Sequence, residues 1–178
     1  MLHNIHDLHI PPTGIEVVDR RNTLLGVFSR SIVNDQHLFT RTLILFIKDS
    51  EGRGLFSLNT RGILEVPVMT ETHFGQSQEA TLCSFLHEYT AEDTPCTNLL
   101  SLAATEEERT FSSVFGCLLP KNTLERMQQT ASHILLDPVE LRGILKREPE
   151  KNTLLQRLMQ EKPVADFYPL PKQPGLNC

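Results

Sequence analysis

The fold of this chain is decided by the stretch Thr40 to Leu58, TRTLILFIKDSEGRGLFSL. Its first run, Thr40 to Ile47, is rich in β-branched and large apolar residues. A second apolar run, Gly54 to Leu58, follows after a short polar turn that contains Gly52. Because two apolar runs joined by a short turn are typical of paired antiparallel strands, the stretch predicts a β-hairpin.

Further strands are predicted on both sides of this hairpin. Upstream, the apolar stretches Ile15 to Val18 and Leu24 to Phe28 flank a predicted turn at Arg20-Arg21-Asn22. Downstream, Ile63 to Met69 predicts a strand that Pro67 pushes to an edge or an irregular end, because proline cannot donate to a strand ladder. Three more apolar segments predict strands at Leu99 to Ala103, Thr110 to Leu119 and His133 to Leu136.

Helices are predicted in the middle of the chain and towards its C-terminus. Ser77 can cap a helix that runs to Thr90, since its apolar residues recur at helical spacing. Asp137, with proline next and Glu140 three residues later, predicts a strong helix start. Pro149 should break the helical segment that continues to Leu158. This order predicts a single α/β (α+β) domain with a mixed β-sheet sandwiched between helices.

Composition sets the boundaries and excludes several classes of protein. Residues 1–13 form a polar lead, residues 14–162 the domain, and residues 163–178 a proline-rich strap or disordered tail. The net charge of −5 disfavours nucleic acid as a partner, which normally needs a basic excess. No apolar run approaches the roughly 20 residues of a membrane-spanning helix, and no secretory signal starts the sequence. The four cysteines are widely scattered, so we expect reduced thiols in a cytoplasmic protein.

Three stretches together resemble the Nudix (MutT-like) superfamily over about residues 13 to 162. The first starts at Ile15-Glu16-Val17-Val18-Asp19 and continues through Thr40-Arg41 to Arg53, and it looks like the branch that includes isopentenyl diphosphate isomerase. The second, Gly75 to Leu86, is similar to the start of the Nudix helix. The third, Ile134 to Leu158, looks like the C-terminal part of such hydrolases. The resemblance implies a Nudix-like fold.

The catalytic motif of that superfamily is degenerate here. When Gly75 and Leu86 anchor the match, the aliphatic position is kept as Leu86 and one glutamate is kept as Glu88. At the other motif positions the sequence has Thr70, Gln76, Ser84, Phe85, Tyr89 and Ala91. Nudix helices use carboxylates on one face to hold hard metal ions against a diphosphate, and neutral phenyl or phenol side chains cannot replace them. Glu88 alone is therefore a poor magnesium site.

Several residues are candidates for a site, each with an ordinary structural alternative. Glu88 is the candidate catalytic residue and metal ligand, or a solvent-facing carboxylate. His87 and Glu92 could join it around a softer metal. Arg41 could bind an anionic ligand, or pair with a carboxylate on the sheet surface. The other ligand-cleft candidates are His73, Phe85 and Tyr89.

The resemblance leaves three hypotheses for function. The first is a non-hydrolytic module that binds a small phosphate compound or a protein partner, as a monomer or homodimer. The second is a hydrolase of a nucleotide or other diphosphate that uses magnesium or manganese held by carboxylates outside the motif. The third is isomerase-like chemistry on a prenyl diphosphate. For the second hypothesis, the reserve carboxylates are Glu65, Glu71, Glu79 and Glu92.

Overall fold

A computed structural model describes residues 14–90, 94–129 and 133–171. Within these described residues, nine strands form one mixed sheet, and helices cover it. The strands are β1 (Ile15–Val18), β2 (Leu24–Phe28), β3 (Phe39–Lys48), β4 (Gly54–Leu58), β5 (Leu64–Glu65), β6 (Val68–Glu71), β7 (Cys96–Leu102), β8 (Thr110–Leu118) and β9 (His133–Leu136). The helices are α1 (Arg30–Asp35), α2 (Gln78–His87), α3 (Lys121–Gln129), α4 (Pro138–Arg147), α5 (Thr153–Gln160) and α6 (Lys162–Phe167), with a 3-10 turn at Pro149–Lys151. None of these helices is both long and apolar enough to span a membrane.

Strand β3 is the centre of the sheet. It pairs antiparallel with β1, β4 and β6, and parallel with β8 along its whole length from Thr40 to Lys48. The predicted hairpin is confirmed, since Ile47 lies opposite Leu55. Its turn is closed by the buried Asp49 carboxylate, which accepts hydrogen bonds from Glu51 N and from Arg53 N and Nε.

The alternating side chains of β3 supply two separate hydrophobic layers. Leu43, Leu45 and Ile47 pack towards α2 and α3. Ile44 and Phe46 pack towards α4, α5 and α6. Because side chains of successive strand residues point to opposite faces, one fully apolar strand can serve two cores. Helices therefore cover both faces, and the predicted sandwich of helices around a mixed sheet is confirmed.

The structure also differs from the sequence predictions in five places. Helices α1 and α3 were not predicted; α3 is strongly polar but buries Thr123, Leu124 and Met127 on one side. The strand predicted for Ile63 to Met69 is broken before Pro67 into β5 and β6. Helix α2 ends at His87 rather than Thr90, and β7 begins three residues before Leu99.

The segment after residue 162 is packed structure as far as Tyr168. Lys162–Phe167 is helical, and the Tyr168 ring is almost completely buried against Phe56. Its hydroxyl donates to Leu136 O at 2.5 Å and accepts from Gly54 N at 3.2 Å. The buried Val164 and Tyr168 thus belong to the core, although they follow the predicted domain boundary at residue 162. Residues 1–13 and 172–178 of the predicted lead and tail lie outside the described residues.

Candidate functional site

A cavity of about 600 Å³ opens where β1, β3 and β8 meet the start of α2. Its size is within the range of small-molecule sites. Most of the side chains that form it are hydroxyls, amides and one ion pair. The lining residues are Glu16, Asn22, Arg41, Thr72, Gln76, Ser77, Gln78, Ser101, Leu102, Ala103, Phe111, Ser112 and Ser113.

Arg41 is the cation of this cavity, and the β1–β2 turn holds it in place. Its Nη1 lies 3.1 Å from Glu16 Oε2, its Nε donates to Asn22 Oδ1 at 2.8 Å, and its Nη2 donates to Asn22 O at 2.6 Å. The turn itself is fixed by Asp19, whose carboxylate accepts from Arg21 N and Thr23 N. The hydrogen bond from Thr23 holds the Asp19 pKa below its usual range. The predicted turn therefore has a second use, because it presents Asn22 to the guanidinium.

The start of α2 forms the facing wall. Ser77 caps the helix by accepting from Ala80 N at 3.1 Å, as predicted. Gln78 reaches across to β8, where its Nε2 donates to Ser113 Oγ at 3.0 Å. The hydroxyl of the neighbouring Thr72 is buried without a hydrogen-bond partner among the described residues. This wall offers neutral donors and acceptors, so Arg41 and Glu16 are the charged groups of the cavity.

Phe85 and Tyr89 lie away from the cavity. Both are half-buried and pack against the hydrophobic layer between α2 and α3, with their ring centroids 5.6 Å apart. Neither residue lines the cavity that contains Arg41, and their role as ligand-cleft residues stays a prediction. Tyr89 O also accepts a hydrogen bond from Arg126 of α3 at 2.9 Å.

The remaining helix candidates are not gathered into one site. His87 and Glu88 are exposed at the end of α2, and Glu92 lies outside the described residues. His73 forms an isolated bridge with Ile15, and its Nδ1 is buried without a hydrogen-bond partner among the described residues. Within residues 14–90, 94–129 and 133–171, no three His, Cys, Asp or Glu side chains are grouped to hold a metal ion.

The reserve carboxylates are also dispersed. Glu71 of β6 pairs with Arg30 at 2.6 Å, and Glu65 of β5 accepts from Asn59 at 2.7 Å. Glu79 of α2 lines a different, smaller cavity. With Phe85 and Tyr89 at two of the ligand positions, the donor set on α2 does not fit the oxygen coordination of magnesium.

Sequence reasoning found Arg41 through the family resemblance but missed most of its surroundings. Ser112 and Ser113 are two hydroxyls inside an otherwise apolar strand, and such an interruption is the signal that could have identified them. Thr72 and Gln78 are ordinary polar residues at the ends of elements, and only the tertiary fold brings them to the cavity.

Comparisons with known proteins concern the fold. No family model matches the sequence, and no curated protein matches it. The crystal structure of DR0079 from Deinococcus radiodurans is similar, with a TM-score of 0.59 and 16% identity, over 81% of this chain and 98% of that one. A solution structure of DR0079, described as a hypothetical Nudix protein, aligns with a TM-score of 0.40 and 16% identity over 61% and 69%. A mutT/nudix family protein from Listeria innocua aligns with a TM-score of 0.44 and 19% identity over 56% and 78%.

At these identities a likeness establishes the fold and leaves the activity open. The alignment with the DR0079 crystal structure carries that conclusion, since it spans nearly all of the other chain. The finer resemblance of the N-terminal half to the isopentenyl diphosphate isomerase branch stays a prediction. The described part of the chain therefore shares the fold of DR0079, a mixed sheet covered by helices on both faces that is consistent with the Nudix fold.

Proposed function

We propose that this Nudix-fold protein binds a small phosphate-containing molecule in the Arg41 cavity and does not hydrolyse it. The observation that supports binding is the guanidinium of Arg41 among hydroxyl and amide groups in a cavity of about 600 Å³. Phosphate is a suitable ligand because a guanidinium can donate two parallel hydrogen bonds to it.

Arg41 retains the capacity to bind such a ligand. A guanidinium has five N–H donors, and three hydrogen bonds hold Arg41 to Glu16 and Asn22 among the described residues. The remaining donors and the Ser113 hydroxyl, which the strand register places on the same face of the sheet as Arg41, supply further hydrogen bonds. The Glu16 carboxylate repels a second negative charge, so a ligand with one phosphate near Arg41 and a neutral polar part over the serines fits best.

The absence of hydrolysis is proposed from the chemistry of α2. Hydrolysis of a diphosphate in this fold needs metal ions that neutralise charge and activate water. The side chains at two of the ligand positions, Phe85 and Tyr89, are packed against the core, and Glu88 is exposed. A protein partner and a homodimer stay predictions from the sequence.

Calorimetric titration with AMP and with inorganic phosphate tests the binding. We expect binding by the wild type, and at least about tenfold weaker binding by Arg41→Gln, because a hydrogen bond to a charged group contributes about 1.5–3 kcal/mol. Arg61→Gln is the matched control, since Arg61 is exposed in a distant turn and should bind like the wild type. Equal binding by both variants, or none by the wild type, contradicts the proposed site.

A phosphate-release assay with magnesium and manganese tests the second half of the proposal. We expect no turnover of ADP, pyrophosphate or a diphosphate library by the wild type. Turnover at ordinary enzymatic rates, about 1 to 10³ per second, would show that the motif losses are compensated elsewhere. The double variant Phe85→Glu/Tyr89→Glu then shows whether carboxylates at these positions restore metal binding.

A further inference from the structure

Two cysteines face each other across adjacent strands of the sheet. Cys96 begins β7, and the antiparallel register places it directly opposite Cys117 of β8. Directly opposed residues of an antiparallel pair have Cα atoms about 4.5–5.5 Å apart, which lies within the range that disulfides require. Both side chains belong to the hydrophobic layer beneath α2, so they lie on the same face of the sheet. The register therefore leaves only a small shift of the strand for a disulfide to form.

The two thiols differ in their access to small molecules. Cys96 is half-buried and lines a cavity of about 330 Å³ between α2 and the start of β7. Cys117 is 1% exposed and belongs to the hydrophobic layer beneath α2. A small reagent that enters this cavity contacts Cys96 first, because Cys117 is buried in the layer below.

The pKa values of the two thiols also make Cys96 the first of the pair to react. The hydrogen bond from Cys117 lowers the pKa of the Cys96 thiol below its usual range, although burial opposes this effect. The same contact, together with burial, raises the pKa of Cys117. Because the thiolate is the reactive form of cysteine, Cys96 is the better nucleophile of the two.

We propose that Cys96 and Cys117 are a redox-active pair that forms a reversible cross-strand disulfide on exposure to hydrogen peroxide. The Cys96 thiolate attacks one peroxide oxygen, so an S–O bond forms, the O–O bond breaks and hydroxide leaves to take up a proton as water. The Cys117 sulfur then attacks the Cys96 sulfenic acid. An S–S bond forms, the S–O bond breaks, and the second water leaves with the Cys117 proton.

The sulfur atoms are each oxidised by one electron and the peroxide is reduced by two. A dithiol reductant reverses the step by thiol–disulfide exchange. The position of Cys96 makes closure mechanically feasible. It is the first residue of β7, it follows Pro95, and β7 pairs only with β8 among the described strands. The end of such an edge strand can shift by the small distance that a disulfide needs, whereas the middle of a central strand cannot.

Closure would join the two strands that carry part of the Arg41 cavity. Ser101 and Leu102 at the far end of β7, and Ser112 and Ser113 of β8, line that cavity. A bond at Cys96 fixes the register between the two strands at one end. The proposed disulfide does not depend on what the Arg41 cavity binds.

The test is non-reducing peptide mapping by mass spectrometry of the full chain, before and after treatment with hydrogen peroxide. We expect a new linked peptide that contains Cys96 and Cys117. Its mass should equal the sum of the two separate peptides minus two hydrogen atoms, and it should disappear on reduction. The control variant Cys83→Ala should give the same linked peptide, since Cys83 lines the cavity but lies on α2. Cys117→Ala should instead leave Cys96 as sulfenic or higher oxidised acid.

Two results would overturn the proposal. One is a linked peptide that joins Cys83 to Cys96, and the other is a wild-type chain whose Cys96 and Cys117 both remain reduced, as shown by alkylation. The wild-type map decides the question even if Cys117→Ala fails to fold, because it needs no variant.

Discussion

Removal of a single oxygen atom, in Tyr168→Phe, tests how the C-terminal helix is attached to the sheet. The hydroxyl donates to Leu136 O and accepts from Gly54 N, and the whole side chain is 1% exposed. The phenylalanine ring keeps the edge-to-face contact with Phe56 and leaves little cavity. The loss therefore comes from two buried backbone groups, each costing about 1–3 kcal/mol when unsatisfied. We expect destabilisation by about 2–4 kcal/mol.

Urea unfolding followed by circular dichroism measures this loss. With an ordinary dependence on urea for a domain of this size, the midpoint should fall by about 1–2 M. Tyr89→Phe is the matched control, because Tyr89 is half-buried and should change the free energy of unfolding by less than about 0.5 kcal/mol. If the two variants unfold at the same urea concentration as the wild type, Tyr168 does not anchor the helix.

Three other predictions concern the ionisation of Tyr168 and the packing of the two hydrophobic layers. Burial raises the Tyr168 pKa above its usual value. The free energy of unfolding should therefore fall as pH rises above about 10, where tyrosine ionises in the unfolded chain. This fall should be smaller in Tyr168→Phe. Gly116→Ala should destabilise the fold by about 1–3 kcal/mol, since the new Cβ would lie 2.8 Å from the Phe167 ring. Gly143→Ala in α4 should instead stabilise the fold by about 0.5–1 kcal/mol. A thermal melt in which Gly116→Ala is the more stable of the two variants contradicts the packing. Phe85→Ala should cost about 1–3 kcal/mol and Phe85→Glu at least as much without metal, so a fully tolerated Phe85→Glu in urea would mean that the ring is not held by the core.

Local patterns in the sequence predicted the elements whose partners are close in the chain. The β3–β4 hairpin and the cap of α4 by Asp137 depend on neighbouring residues, and both form as predicted. The parallel pairing of β3 with β8 joins residues about seventy positions apart, so no local pattern contains it. Helix α3 was missed because its polar residues outnumber the few side chains that it buries.

The candidate site was likewise predicted only in part. Arg41 was predicted from the resemblance, and its partner Glu16 comes from a strand that was also predicted. The hydroxyl and amide groups around them come from the β1–β2 turn, the end of β6, the start of α2 and strands β7 and β8, so their convergence follows from the tertiary fold. Phe85 was a candidate for the ligand cleft, and the structure packs its half-buried ring against the layer beneath α3, a helix that the sequence pattern did not reveal.

The buried position of Tyr168 also has a consequence for biosynthesis. A ribosome releases the chain from its N-terminus, so β3 emerges long before β8, its parallel neighbour, and longer still before Tyr168. Until residue 168 has left the exit tunnel, Gly54 N and Leu136 O lack the hydroxyl that joins them, and the layer around Phe56 stays open. Domains generally fold as units during synthesis, and exposed apolar layers are what chaperones bind. This domain therefore completes its core only after residue 168 has emerged, and β3 gains its parallel neighbour β8 later than its antiparallel partners β1, β4 and β6.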